Sequence, residues 1–377
     1  MKKFLYLCML ITICLKTMAQ IDLYDRNWDT VFYDDFSSYR TWDPQTWISS
    51  DGKWKALAGD WVTHGGQYEH QIYQYQNCAF DLANNTMTLV SEYDWNGRIP
   101  TYNYSLPNGS NHWPNIYGTN HNYNNENELL YWYFFSGEID VNNQPFGFGY
   151  FEIRCKLPLH HGSFPAFWLF GNGPHQYEEI DIFEYSESDS EQDSLRGYSS
   201  GIWFNPNTTN APANYFKNHY HLSISEPDLG QYHTFGCEWM PDYVKWYCDG
   251  LLVNEFYNTE YIPHRPLTLK TNYAIDGKYD YNGIWTGNAD MIVDYIKVFQ
   301  LLWDCDDDIT INNQLEMDDF EFSVKKSISI ASQNENVIIN DTGKVTFRVT
   351  ESFSVSSQFQ VDNGAEFTVI RQSCPSN

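Results

Sequence analysis

The groups best able to do chemistry lie together in Glu178-Glu179-Ile180-Asp181-Ile182-Phe183-Glu184-Tyr185. Side chains alternate along a strand, so Glu179 and Asp181 share one face and Ile180 and Ile182 take the other. Glu184 follows Glu179 by five positions, and simple alternation would send it to the opposite face. A β-bulge at Ile182-Phe183 adds one residue and returns Glu184 to the face of Glu179 and Asp181. Three carboxylates then line one concave surface. Like charges that close disfavour joint ionisation, so one carboxyl is expected to hold its proton near neutral pH. Retaining glycoside cleavage uses this asymmetry, with an ionised nucleophile and a protonated acid about 5–5.5 Å apart. The first attacks the anomeric carbon; the second protonates the departing oxygen and then takes a proton from water. Asp181, between them, is placed to hydrogen-bond the nucleophile and tune its pKa. Two plainer readings stand beside this one: a solvated acidic strand in a chain with 49 Asp and Glu, or a set of calcium ligands.

The elements that must position these groups read as strands. From about residue 30 to 300, short runs such as Thr86-Met87-Thr88-Leu89-Val90 and Val244-Lys245-Trp246-Tyr247 are punctuated by Gly, Pro and Asn turns, as at Asp249-Gly250. No window of a dozen residues keeps a helical period. An all-β sandwich or barrel is predicted. Residues 94–127 lack alternation and are rich in Asn, Tyr, Gly and Pro, with Trp113 among their aromatics; they are expected to form an insertion that walls a cleft. After Trp303 the composition changes. Asp304 to Asp308 reads as an acidic linker. Beyond it, runs such as Val345-Thr346-Phe347-Arg348-Val349 and Phe367-Thr368-Val369 suggest small stacked β rungs. The divisions expected are a signal segment at 1–19, a catalytic domain at 20–302 and a small β module at 303–377 that serves as spacer or attachment.

Composition narrows the partners. A formal charge of −27 disfavours nucleic acid and anionic lipid, and less strongly a heavily sulfated polymer. Aromatics make up 18% of residues, and 14 residues are Trp. Flat rings with polar rims suit sugar binding, although β-sheet cores would absorb about half of them. Lys2 and Lys3, the apolar run from Phe4 to Leu15 and the small-residue site Thr17-Met18-Ala19 follow the order of a Sec signal peptide, which makes Gln20 the first mature residue. Export to the periplasm, cell surface or medium follows, and no membrane span is expected. Of the eight cysteines, six lie beyond that segment, and the absence of a CxxC pair argues against zinc. Cys237 and Cys248 flank the turn Met240-Pro241-Asp242-Tyr243, while Cys305 and Cys374 bracket the C-terminal segment; both pairs are candidate disulfides.

Several stretches taken together resemble glycoside hydrolase family 16. They are Phe32-Tyr33-Asp34-Asp35-Phe36, Gly149-Tyr150-Phe151-Glu152-Ile153-Arg154, Phe164-Pro165-Ala166-Phe167-Trp168-Leu169, the acidic segment, His233-Thr234-Phe235-Gly236-Cys237-Glu238-Trp239, Trp246-Tyr247-Cys248-Asp249-Gly250 and Val293-Asp294-Tyr295-Ile296-Lys297. The resemblance implies a concanavalin A-like β-jelly-roll sandwich with an open cleft, and retaining, endo-acting hydrolysis of a β-linked glucan or galactan. On the matching positions Glu179 would be nucleophile, Glu184 acid/base and Asp181 the assisting residue. The five-residue spacing resembles the bulged branch, with its laminarinases, agarases, porphyranases and carrageenases. Trp168, Glu69 and Asn272 resemble cleft positions. No cofactor is implied for catalysis, but many relatives carry a structural calcium ion on the convex face, and Asp35 and Asp294 match part of that site. Where laminarinases usually show a His-centred strand, this chain has Ser200-Gly201-Ile202-Trp203-Phe204, which makes Trp203 a candidate sugar platform. The expected substrate is a β-1,3-glucan of the laminarin type, cleaved by a monomer. The alternatives are a β-galactan such as agarose, porphyran or a host galactosyl glycan, and a non-catalytic glycan-binding protein on the same scaffold.

Overall fold

The computed structural model describes residues 27–57, 71–98, 132–160, 162–171, 178–185, 198–204, 216–222, 228–258, 261–264, 266–275, 289–311, 320–321, 323–330, 337–339, 341, 343–355 and 359–375. Residues 1–19, expected to be a signal segment, Glu69, Trp113 and most of the expected insertion at 94–127 lie outside them. Strands in chain order begin with β1 (Asn27–Asp34), β2 (Trp54–Ala56), β3 (Gln71–Tyr73), β4 (Cys78–Asp81), β5 (Thr86–Arg98), β6 (Trp132–Ser136), β7 (Glu138–Val141) and β8 (Gly149–Lys156). There follow β9 (Ser163–Phe170), β10 (Glu178–Tyr185), β11 (Tyr198–Phe204), β12 (Phe216–Leu222), β13 (His233–Trp239), β14 (Val244–Cys248), β15 (Leu251–Phe256) and β16 (Thr268–Ile275). The last are β17 (Ala289–Ile311), β18 (Phe320–Glu321), β19 (Val324–Ile330), β20 (Val337–Ile339), β21 (Lys344–Val355), β22 (Phe359–Val361) and β23 (Glu366–Arg371). The one helical element among the described residues is a 3-10 turn at Tyr75–Asn77.

Two sheets face each other. One runs β12-β11-β10-β9-β16-β7-β2, antiparallel throughout; the other carries β15-β14-β13-β8-β17, with β1 and β5 also paired to β17. Alternate residues of each strand point between them, giving a core that includes Trp54, Phe151, Phe167, Ile180, Phe183, Phe235, Trp239 and Trp246. Much of the aromatic content is therefore interior packing. The predicted β-sandwich is the observed architecture. Hairpin turns follow the residues that favour them: Asp249 and Gly250, between β14 and β15, both adopt positive φ, as a tight two-residue turn requires.

Three expectations change. Asp94 to Arg98, read as loop, extends β5, which pairs with β6 at Arg98 and Trp132. Asp304 to Asp308, read as a linker, continues β17 without a break, so the strand leaves the sandwich and enters the C-terminal part of the chain. Cys237 and Cys248 do not bond to each other. Cys237 lies opposite Trp246 and Cys248 opposite Phe235, because the four-residue turn joins Trp239 to Val244 and leaves arms of unequal length. The two thiols sit two positions out of step, and a disulfide needs closer Cα atoms than that offset allows. Cys305 and Cys374 do form a disulfide, with Cα atoms 5.9 Å apart.

Beyond β17 the ladders become parallel. β17 pairs β19, β19 pairs β21, β21 pairs β18 and β23, and β20 pairs β22. The chain winds as a coil around a second core that includes Ile309, Ile311, Ile328, Ile330, Val337, Ile339, Val345 and Phe347. Phe148 packs against both cores, and Lys325, almost fully buried, pairs with Asp307 at 2.6 Å and Asp304 at 3.6 Å.

Candidate active site

Along β10 the register slips by one residue. Against β11, Asp181 pairs Gly201 and Glu184 pairs Ser199; against β9, Asp181 pairs Trp168 and Phe183 pairs Phe167, with Ile182 passed over. This is a β-bulge at the segment where parity demanded one. Ile180, Ile182, Phe183 and Tyr185 all enter the core, two of them in succession, so Glu179, Asp181 and Glu184 share the opposite face of the sheet. The bulge is tied from behind. The indole Nε1 of Trp246, on β14 of the other sheet, crosses the core and donates to the Asp181 carbonyl oxygen at 2.8 Å.

The three acids differ in setting. Asp181 is 1% exposed, whereas Glu179 and Glu184 are half-buried. Burial first, then the neighbouring Glu184 and Glu179 charges, push the Asp181 carboxyl well above the ordinary range, although the Trp203 N–H donated to it acts the other way. The shift favours the neutral form of Asp181, whose side chain hydrogen-bonds Glu179.

Around this row the structure assembles a polar frame. Trp168, opposite Asp181, is almost covered; its Nε1 donates to Asn272 Oδ1 at 2.8 Å, and its ring meets Phe170 edge-on at 5.1 Å. Asn272 Nδ2 donates to the Tyr73 hydroxyl at 2.7 Å. Asn272 thus fixes the plane of Trp168. Trp203 lies opposite Glu179 and is half-buried. Sequence reasoning missed Tyr73, Trp246, Lys270 and Asp140. Lys270 is opposite Trp168 on β16, and its ammonium donates to both Asp140 oxygens at 2.7 Å and to Glu138 at 3.4 Å. Burial alone would lower the Lys270 pKa, but Asp140 and Glu138 offset it and leave it raised. Lys270 is a cation inside an apolar-looking strand, the one local signal that could have flagged it.

The residues offered for calcium do not fit it. Asp35 Oδ1 accepts from the Ser37 amide at 3.2 Å and hydroxyl at 2.7 Å, while Asp294 is ion-paired with Arg154. A guanidinium holds the carboxylate that a cation would need. Among the described residues no group of three or more His, Cys, Asp or Glu is arranged to hold a metal. No helix among them is long and apolar enough to cross a membrane.

Residues 109–297 match the model of the glycosyl hydrolases family 16. The chain belongs to that family. Its two facing antiparallel sheets are the jelly-roll sandwich of the solved neighbours below. Among curated relatives, the endo-1,3-1,4-beta-glycanase EglC of Rhizobium meliloti (strain 1021) is 28% identical over 160 residues, 41% of this chain and 30% of the relative. A beta-glucanase of Acetivibrio thermocellus is 29% identical over 145 residues, 36% of this chain and 38% of the relative. The chain spans less than half the length of either. Among solved structures, the catalytic domain of an endo-1,3-beta-glucanase (laminarinase) from Thermotoga petrophila RKU-1 superposes with TM-score 0.51 at 22% identity, covering 73% of this chain and 99% of that one. A structure from work on endo-acting O-glycanases that members of the human gut microbiota express to initiate mucin breakdown gives TM-score 0.55 at 21% identity, covering 73% and 91%. At these identities the structures speak for the fold.

Proposed function

We propose that this family 16 member is an exported, retaining endo-β-glycosidase that hydrolyses a β-linked glucan of the β-1,3 type, with Glu179 as nucleophile and Glu184 as acid/base. The observation that carries the reading is the bulge, which sets two half-buried glutamates on one face with a buried Asp181 between them, its carboxyl pushed up by burial and by its neighbours' charges. Glu179 forms a bond to the anomeric carbon as the bond to the departing oxygen breaks, and Glu184 gives that oxygen its proton. Glu184 then removes a proton from water, which displaces Glu179 and regenerates both carboxyls. A neutral Asp181 spares the nucleophile a second negative neighbour, and its O–H holds the Glu179 oxygen in place. The five-residue spacing supports the bulged branch, and the curated glucanase relatives support a glucan substrate.

A galactan is the second reading. Gly201 lies opposite Asp181 and adds no side chain of its own beside an axial hydroxyl. The test is a panel of laminarin, lichenan, agarose, porphyran and keratan-type glycans with products sized over time. Oligosaccharides from laminarin at early times, lost in Glu179→Gln, are expected. Activity surviving that substitution refutes the nucleophile assignment; monosaccharides from the first time point refute endo action.

A further inference from the structure

An amine and two carboxylates meet on the face of the β7–β16 pair that points away from the core. Ile139 and Val141 of β7 and Leu269 and Tyr273 of β16 enter the core, which puts Glu138, Asp140 and Lys270 together on the other face. Lys270 and Asp140 are direct register partners, and Glu138 stands opposite Asn272, two residues along. The Lys270 nitrogen lies 2.7 Å from each Asp140 oxygen and 3.4 Å from Glu138 Oε1. The Lys270, Asp140 and Glu138 side chains are 8%, 21% and 0% exposed. The Trp168 ring, its centroid 5.7 Å from the nitrogen, covers one side.

An ion pair withdrawn from water bears a desolvation cost for as long as it stays ionic. Condensation to an amide removes both charges at once. Free amines and carboxylates condense poorly in water, but groups fixed against each other react with effective concentrations of about 10⁵–10⁸ M. With both oxygens at 2.7 Å from the nitrogen, the Asp140 carboxyl carbon lies between them, about 3–3.5 Å from it, the range of a near-attack pair. A turn of the carboxyl about its last bond presents its face to the nitrogen. Glu138 supplies what the step needs besides: a buried carboxylate in reach of that nitrogen, able to take a proton and hand it on.

We infer that Lys270 and Asp140 become joined by an isopeptide bond, with Glu138 as the acid/base for its formation. A proton first passes from the Lys270 ammonium to Asp140, leaving a neutral amine and a carboxylic acid. The amine nitrogen attacks the Asp140 carboxyl carbon while Glu138 removes a proton from that nitrogen. Glu138 returns the proton to the departing hydroxyl, the C–O bond breaks, and one water leaves by the partly exposed side of Asp140. An N–C bond replaces a C–O bond, nothing is oxidised or reduced, and Glu138 ends as it began. Asp140 and Glu138 hold the Lys270 pKa up against burial, so the first transfer is uphill and sets a slow rate for a reaction that each chain performs once. The bond ties β7 to β16 across 130 residues, beside Trp168 and Asn272. Among the described residues the sandwich has no disulfide of its own: Cys78, Cys155, Cys237 and Cys248 are free, and the Cys305–Cys374 bond belongs to the coil.

The test is mass spectrometry of the reduced, denatured protein, intact and after protease digestion. The parent is expected to be lighter than its sequence requires by one water. Its digest is expected to contain a branched peptide that joins the segments around Asp140 and Lys270. On a denaturing gel it should run ahead of Lys270→Arg, because the bond closes a loop of 130 residues in the unfolded chain. Lys270→Arg keeps a cation for the ion pair, and Glu138→Gln keeps both reacting groups; each is expected at full mass with no branch. A parent at full mass, with Asp140 and Lys270 on separate linear peptides, overturns the inference and leaves a plain ion pair. A branch at the parent's level in Glu138→Gln overturns the role given to Glu138. None of these readouts uses hydrolysis, so the result stands apart from the reading of the substrate.

Discussion

Replacing Trp246 with Phe tests whether the bulge is held from the far side of the core. The ring is fully buried, and its Nε1 donates to the Asp181 carbonyl at 2.8 Å. Phe keeps an aromatic ring but removes the donor, which strands a buried carbonyl at a cost of about 1–3 kcal/mol. If that cost were purely structural, stability would fall and turnover would not. The bulge, however, sets where Glu184 stands relative to Glu179, and a shift of about 1 Å in such a group costs about a hundredfold in rate. We therefore expect kcat to fall by about 10- to 100-fold with KM changed less than about twofold, because the loss lies in the reacting geometry rather than in binding. The control is Trp239→Phe. Trp239 is equally buried, and its Nε1 donates to the Pro263 carbonyl at 3.0 Å, away from the bulge. Initial rates on the cleaved polymer and thermal melts of both variants suffice. Similar Tm losses with kcat reduced only in Trp246→Phe support the reasoning. A kcat for Trp246→Phe within about twofold of the parent, or equal kcat losses in both, refutes it.

Other expectations follow from the acids and the coil. Between the unfolded value of 3.8 and its raised folded value, Asp181 holds a proton that the unfolded chain has lost, so it costs stability as pH rises through that window. Asp181→Asn should melt higher than the parent by a margin that grows as pH is raised from about 4, while its activity falls; a margin independent of pH contradicts the burial argument. His264 is buried with its pKa lowered to about 4 from 6.5, so the folded state binds fewer protons below 6.5 and stability falls by about 3 kcal/mol as pH drops to 4. His264→Gln should flatten that part of a denaturant-stability profile. Reducing the Cys305–Cys374 bond, which spans 69 residues, should destabilise the C-terminal coil by about 4 kcal/mol on loop entropy, seen as earlier proteolysis there than in the sandwich. Because Arg154 holds Asp294, EDTA is expected to leave Tm unchanged; a clear fall on chelation would contradict the ion-pair reading.

What could be read from the chain was whatever depended on local parity. Ile180, Ile182 and Phe183 carry the core side of β10, and the odd spacing of Glu179 and Glu184 demands a bulge that the register shows. The sandwich followed in the same way from short alternating runs. Contacts between distant strands left no such trace. Nothing near Trp246 marks it as the partner of Asp181, 65 residues earlier, and Asn272 acquires its role from Trp168 and Tyr73 on two other strands. Asp140 and Lys270 are 130 positions apart. The cysteine error has the opposite origin: the turn was read correctly, but a disulfide depends on the count of residues in each arm, and Cys237 and Cys248 are two positions out of step.

The same distinction governs the C-terminal coil. An acidic run such as Asp304 to Asp308 reads as a solvated joint because strands rarely gather like charges. Here the charges are taken up locally. Lys325 pairs with Asp307 and Asp304, while Lys326 and the Ser327 hydroxyl bond Asp308. With its repulsion reduced, the run continues β17, one strand of 23 residues shared by sandwich and coil. A hinge at this point would have to break ladder hydrogen bonds to β19 and withdraw Phe148 from one of its two cores. The coil is therefore carried as an extension of the convex sheet.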